Sequence, residues 1–286
     1  MVNFVLLTGV SGAGKSTVCH AFEEKGYRIV ENVPVSAVSA VLDSVVADEN
    51  AYGKTVLIQT LDLAKETYHV VAARQNIQRQ FMVLDCAHDE LLARFRLTRH
   101  VHPLQSRGLS LEEALEEDAE AVALVRPLAD LYIDTTGMEP QALREIAMAN
   151  IEGELGGNLV VRFTSFGYKF GVPRDAEIVF DCRNVPNPYW NKMLRPFTGL
   201  DKPIVDWLQD HKEVEEAFDS MVKYLTYFLE KARKDRRNYV SIDLGCSGGQ
   251  HRSVYFAQRL CEYFSKEYLT FVTHREIGRY RGKNDG

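Results

Sequence analysis

Residues 9–17 read Gly9-Val10-Ser11-Gly12-Ala13-Gly14-Lys15-Ser16-Thr17. Gly9, Gly14, Lys15 and Ser16 fit the phosphate-loop pattern G-x-x-x-x-G-K-[ST]. The glycines let the backbone curl so that several N–H groups point at one phosphate. A helix starting there adds partial positive charge. In that pattern the lysine meets the β and γ phosphates and the Ser16 hydroxyl holds Mg²⁺. The plainer alternative is a glycine-rich strand-to-helix turn with no ligand. A metal needs an acidic partner at a neighbouring strand end. Asp85, closing Phe81–Asp85, is the first choice and Asp62 the second. Arg94, Arg96 and Arg99 fall on one helical stretch, and arginines so placed either close over phosphates or form a solvated basic face. No N-K-x-D string selects guanine, so ATP and GTP stay open.

A second glycine-rich loop reads Gly245-Cys246-Ser247-Gly248-Gly249-Gln250-His251-Arg252-Ser253. It follows an apolar run and precedes a helical one, which again makes an anion cradle. Arg252 is placed to grip a phosphate. The spacing C-x-x-x-x-x-R-S is also that of cysteine-dependent phosphatases, in which a Cys246 thiolate would attack phosphorus. No general acid is evident, and an empty tight turn is the remaining alternative. Upstream, Asp181-Cys182-Arg183-Asn184-Val185-Pro186-Asn187-Pro188-Tyr189-Trp190 makes a stiff loop. Tyr189 and Trp190 are candidates for a stacking wall, although aromatics in such loops are more often core anchors.

These loops need elements to hold them. Strands are expected at Asn3–Thr8, Val56–Leu61, Phe81–Asp85 and Leu131–Asp134, each a short apolar run suited to burial on both faces. Helices are expected from Lys15, over Leu111–Val125 behind a Ser110/Glu113 capping box, and over 141–150. The acidic run Glu112, Glu113, Glu116, Glu117, Asp118, Glu120 reads as a solvated helix face. Further strands are expected at Leu159–Thr164, Glu177–Phe180, Tyr239–Leu244 and Leu269–Thr273. Helices follow at Glu213–Lys234 and Arg252–Lys266, with Asp201 capping another. Alternating strands and helices predict an α/β fold: an N-terminal P-loop kinase-like parallel sheet with helices on both faces, and a separate C-terminal α/β domain. The glycine-rich stretch 152–158 is the linker, so the domains are read as 1–152 and 158–286.

The 286 residues are 45% hydrophobic and 26% charged, which excludes disorder and fibrous repeats. No apolar run reaches the ~18 residues of a membrane span. The N-terminus does not read as a signal peptide, and five scattered cysteines suit a reducing cytoplasm. The net charge is −6, unevenly spread. Residues 1–156 hold 13 Lys/Arg against 23 Asp/Glu, and residues 157–286 hold 21 against 17. The basic C-terminal half favours anionic partners, either phosphorylated metabolites or nucleic acid.

In order along the chain stand GVSGAGKS (9–16), ENVP (31–34), TRHVHPL (98–104), DLYIDT (130–135), FTSFGYKFGVP (163–173), DCRNVPNPYW (181–190), LRPFTGLDKPI (194–204) and GCSGGQHRSV (245–254). Through these strings the chain resembles the RapZ-type P-loop proteins, bacterial nucleotide-binding proteins and RNase adapters. The resemblance implies binding and weak hydrolysis of ATP and GTP. It also implies a C-terminal domain that takes a phosphorylated sugar or RNA, in one branch to present RNA to a ribonuclease. A regulatory protein partner and a homo-oligomer stay open. Four features depart from the pattern, one being an arginine pair common before H-P-L that is reduced to Arg99-His100. Glu31 begins ENVP where the family reads D-N-L-P. The D-x-R segment tied to GTP reads Asp62-Leu63-Ala64-Lys65. The basic tail Arg275, Arg279, Arg281, Lys283 ends in Asn284-Asp285-Gly286.

Three functions follow. One is a nucleotide-binding regulator signalling through its C-terminal domain. The second is a small-molecule kinase, and the third a phosphatase using Cys246.

Overall fold

The computed structural model describes residues 2–48, 52–98, 100–152, 159–235, 237 and 239–281. Arg99 and residues 153–158 of the expected linker lie outside them. The chain divides into two compact units, Met1–Met148 and Ala149–Gly286.

The first unit is built on a parallel sheet of five strands: β1 (Val2–Gly9), β2 (Arg28–Glu31), β3 (Lys54–Ile58), β4 (Ile77–Asp85) and β5 (Leu131–Asp134). Their order is β2-β3-β1-β4-β5. Phe4, Leu6, Leu57, Met82, Leu84 and Ile133 are almost fully buried, as runs apolar on both faces require. The helices are α1 (Lys15–Glu24), α2 (Val35–Ala47), α3 (Leu61–Ala72), α4 (His88–Thr98), α5 (Leu111–Val125) and α6 (Pro140–Glu152). Right-handed crossovers place α1 on one face of the sheet and α2, α3 and α5 on the other. β1 lies at the centre, between β3 and β4. The chain reverses direction across the sheet at that strand, and its C-terminal end is where open α/β sheets take ligands.

Two expectations need correction here. The strand expected at Val56–Leu61 spans Lys54–Ile58, and Leu61 already opens α3. The acidic run is not wholly solvated. Asp118 lies on the inner stripe of α5 with Ala114, Leu115, Val122 and Val125 and is buried, while Glu112, Glu113, Glu116, Glu117 and Glu120 are exposed. The 3.6-residue period puts position 118 under the helix.

The second unit carries four parallel strands: β6 (Val160–Gly167), β7 (Ile178–Asp181), β8 (Tyr239–Cys246) and β9 (Leu269–His274), in the order β7-β8-β6-β9. Around them lie α7 (Lys202–Gln209), α8 (Lys212–Lys234), α9 (Arg252–Phe264) and the short α10 (Gly278–Arg281). α8 turns Val214, Phe218, Met221, Leu225, Leu229 and Ala232 inward at three- and four-residue spacing. They join Phe163, Ile242, Phe256 and Leu260 in one core. Each such side chain contributes ~1.5–3 kcal/mol on burial. Asp201 stands at the N-cap of α7 but does not cap with its side chain. Its carboxylate accepts from the Thr198 amide (2.6 Å) and hydroxyl (2.8 Å) instead. Among the described residues no helix is long and apolar enough to cross a membrane.

Candidate functional site

The first glycine-rich loop joins β1 to α1 at the C-terminal edge of the first sheet. Val10 is pinned there by its amide on the Leu84 carbonyl at 3.1 Å. Gly14 is the N-cap of α1 with φ 100°, a left-handed conformation that favours glycine. An added Cβ there would come within 2.7 Å of Leu143. Ala13 is buried, Ser11, Gly14, Lys15 and Thr17 are half-buried, and Gly12 and Ser16 are exposed. The Lys15 amine folds back on its own loop, donating to the carbonyls of Gly9 (2.6 Å) and Val10 (3.0 Å). Burial lowers its pKa from 10.5 to about 8, against the pull of Asp118 and Cys19. Such an ammonium has little solvation left to lose when a phosphate arrives.

Asp85 ends β4, the strand beside β1, and is buried. Its Oδ1 accepts from the Cys86 amide at 2.8 Å and its Oδ2 from the Tyr132 hydroxyl. Burial, and then the Asp85 carboxylate, raise the pKa of Tyr132 far above its ordinary value. Asp62 is exposed on the first turn of α3, 3.9 Å from Arg107. Arg94 is a strut: it donates to the Gly12 carbonyl (3.0 Å), to the Thr135 carbonyl (2.8 Å) and hydroxyl (3.2 Å), and to Glu90. Arg96 is exposed. A residue expected on a solvated helix face reaches this loop, backed by a histidine with no sequence-based role. Asp118 accepts the Ser11 amide at 2.7 Å and stands 3.1 Å from His102.

The second loop leaves β8 and enters α9. Gly249 has φ 71°, and a Cβ there would stand 2.6 Å from Glu276 Oε2 and 2.8 Å from the Gly167 amide nitrogen. The loop faces a cavity of about 640 Å³, also lined by Lys169, Tyr189, Trp190, Arg195 and Tyr280. Cys246 is 4% exposed; its Sγ accepts the Gly249 amide (3.3 Å) and lies 3.1 Å from Ser253 Oγ. Arg252 lines the cavity, but its Nη1 donates to the carbonyls of Arg183 (3.1 Å) and Val185 (3.0 Å). Gln250 Nε2 holds the carbonyls of Arg195 (2.8 Å) and Phe197 (2.9 Å). His251 is 4% exposed, and its Nε2 is buried with no hydrogen-bond partner. Burial pushes its pKa down, so its neutral form is favoured. Trp190 is 77% exposed, and Arg195 stacks on Tyr189 at 4.9 Å. The aromatics of this loop are therefore a wall and rim, not core anchors. Among the described residues no carboxylate lines the cavity. That set suits holding an oxyanion and offers no carboxylic acid to protonate a leaving group.

The class is thus a P-loop α/β unit joined to a second parallel α/β unit with its own glycine-rich strand-to-helix loop. Residues 2–156 match the model of the RapZ-like N-terminal domain, and residues 159–278 that of the RapZ C-terminal domain. A nucleotide-binding protein of Dechloromonas aromatica is 38% identical over 96% of this chain and 99% of its own length. An RNase adapter protein RapZ of Serratia proteamaculans is 35% identical over 91% of this chain and 92% of its own. Among solved structures, an unliganded sugar kinase from Janibacter sp. aligns with 52% of this chain and 93% of its own at 16% identity and a TM-score of 0.37. The chain belongs to the RapZ-like family.

Proposed function

We propose that this chain is a nucleotide-binding regulatory protein. It takes ATP or GTP on Gly9–Thr17, turns it over slowly, and signals through a C-terminal domain that binds a phosphorylated metabolite and RNA. The observation that carries the reading is the loop after β1: Gly14 opens α1 in a left-handed conformation, and a desolvated Lys15 amine is held on loop carbonyls. A triphosphate replaces those carbonyls with stronger, charged acceptors. Relatives named nucleotide-binding proteins and RNase adapters support the reading.

The fold family implies Mg²⁺ with the triphosphate. Among the described residues no group of three or more His, Cys, Asp or Glu is arranged for a metal. That fits an ion delivered on phosphate oxygens rather than caged by the protein. Ser16, exposed on the first turn of α1, and Asp85, at the end of β4, would hold it. The ion would neutralise charge developing on the phosphates.

In the second unit, Ser247, Gly248, Gly249, Arg252 and Lys169 cradle the anion, His251 reads a polar group, and Tyr189 packs against the rest of the ligand. The exposed Trp190 beside Arg195 and Lys169 offers stacking and positive charge to single-stranded RNA. Arg94, engaged as a strut, is not the mobile lid a kinase reading would use.

Calorimetric titration with ATP, GTP and a phosphorylated sugar tests the proposal. Lys15→Ala is expected to abolish nucleotide heats and leave the sugar phosphate unaffected. Unchanged ATP binding in that variant would refute the nucleotide site.

A further inference from the structure

The phosphate loop carries one contact that nucleotide binding does not call for. The Ser11 amide donates to Oδ2 of Asp118 at 2.7 Å, and the same oxygen is 3.1 Å from Nε2 of His102. Nδ1 of the His102 ring accepts the Leu104 amide at 3.2 Å. With Nδ1 an acceptor, the ring proton sits on Nε2 and is donated to Asp118. Gln105 Oε1 accepts the His102 amide at 2.9 Å, which fixes the turn that presents the ring. His102 is 1% exposed and Asp118 7%. A carboxylate buried on the apolar stripe of a helix is costly without a reason. Here two hydrogen bonds aim it at the loop that must receive phosphates.

Its charge reaches the lysine of that loop. Asp118 favours the protonated form of Lys15 against burial. The empty loop thus holds an ammonium and a carboxylate together, close to neutral. An incoming triphosphate gains Lys15 and meets Asp118.

We propose that Asp118, fixed by His102, is a specificity-determining residue of the phosphate loop that weakens nucleotide binding in proportion to ligand charge. The proposal rests on the nucleotide reading above.

The sign of the effect separates charge from architecture. Asn at 118 keeps the shape, and its carbonyl oxygen can still accept from Ser11 and His102. Damage to the loop weakens binding, whereas removal of a repelling charge tightens it. The full-length protein is titrated calorimetrically with ATP and ADP in Mg²⁺, as wild type, Asp118→Asn, His102→Gln and Lys15→Ala. Asp118→Asn is expected to tighten ATP by about tenfold, the scale of removing one nearby repelling charge. The gain for ADP is expected to be smaller. His102→Gln, which keeps an N–H toward Asp118, is expected to stay near wild type. If Asp118→Asn fails to fold by circular dichroism, Asp118→Ser carries the same expectation. Binding that is lost in Lys15→Ala but unchanged or weaker in every folded neutral 118 variant overturns this inference alone. A wild type that binds neither nucleotide, like Lys15→Ala, overturns the nucleotide reading and this inference with it.

Discussion

The depressed pKa of Lys15 has a measurable consequence for nucleotide affinity. In the free protein the amine titrates at about 8, below the ordinary 10.5, because burial disfavours its charge. A bound triphosphate favours the charged form and raises the value in the complex. Linkage then fixes the sign: binding takes up a proton wherever the free amine is neutral, so affinity falls as pH rises through 8. From about pH 7 to about pH 9 the protonated fraction drops from roughly nine-tenths to roughly one-tenth, so Kd should rise about tenfold. The nucleotide's own phosphates are already ionised over most of that range and contribute little. Fluorescence anisotropy of a labelled ATP analogue at fixed Mg²⁺ and ionic strength reads the curve, and Lys15→Arg should flatten it. Stability moves the other way. The unfolded lysine binds more protons between about pH 8 and pH 10.5, so folding is favoured as pH climbs through that window. A flat Kd profile, or one that persists in Lys15→Arg, would show that this amine does not meet the phosphates.

Three further outcomes are expected. Gly249→Ala places a methyl 2.6 Å from the buried Glu276 carboxylate at a left-handed φ; chemical denaturation should show a loss of ~2–4 kcal/mol, and sugar phosphate binding should vanish with it. Arg162→Met removes the buried guanidinium that pairs with Asp175 and donates to Ser241; it should cost ~3–5 kcal/mol, and the double variant with Asp175→Leu should regain most of that. His251→Phe removes the imidazole, whose Nε2 is buried with no hydrogen-bond partner; ligand affinity should drop at least ~tenfold by calorimetry while circular dichroism shows the fold retained.

Much of the fold was legible because strands buried on both faces must be apolar throughout. β1, β5 and the second half of β4 announce themselves that way, while β6 and β8 interleave their apolar residues with buried Arg162, Thr164, Ser165, Ser241 and Asp243. β2 does not: Arg28-Ile29-Val30-Glu31 is an edge strand of four residues, exposed at both ends. α2 begins behind Pro34, and α3 behind Thr60, without a side-chain cap, so neither carries a start signal. The phosphate loop was legible because its chemistry fixes residue types at fixed spacing. Asp118 was hidden by its neighbours, since five exposed glutamates make the whole run look solvated. The helical period singles out position 118 once Leu115, Val122 and Val125 are taken as the inner stripe. His102 was hidden differently: its partner is distant in sequence, and no local pattern encodes a contact made only in the folded unit. Arg94 and Arg252 show the same limit. Their type suited phosphate, but sequence alone could not reveal the carbonyls they hold.

The hydrogen bonds of the second loop indicate why its occupant would matter beyond its own binding. Arg252 ties the loop to the backbone at 183 and 185, and Gln250 ties it to the carbonyls of Arg195 and Phe197. Between those anchors run Tyr189 and Trp190, the exposed aromatic rim. Arg252 and the turn before α9 both lead to the segment that bears the rim. Arg183 is itself held by Asp181 and stacks on Tyr168, so the far end of the segment is anchored to β7 and β6. These hydrogen bonds link the wall of the cavity to the segment that bears the exposed aromatics. Cys246 fits the same logic: its sulfur accepts a loop amide and touches Ser253, so it helps set the shape of the cradle from below.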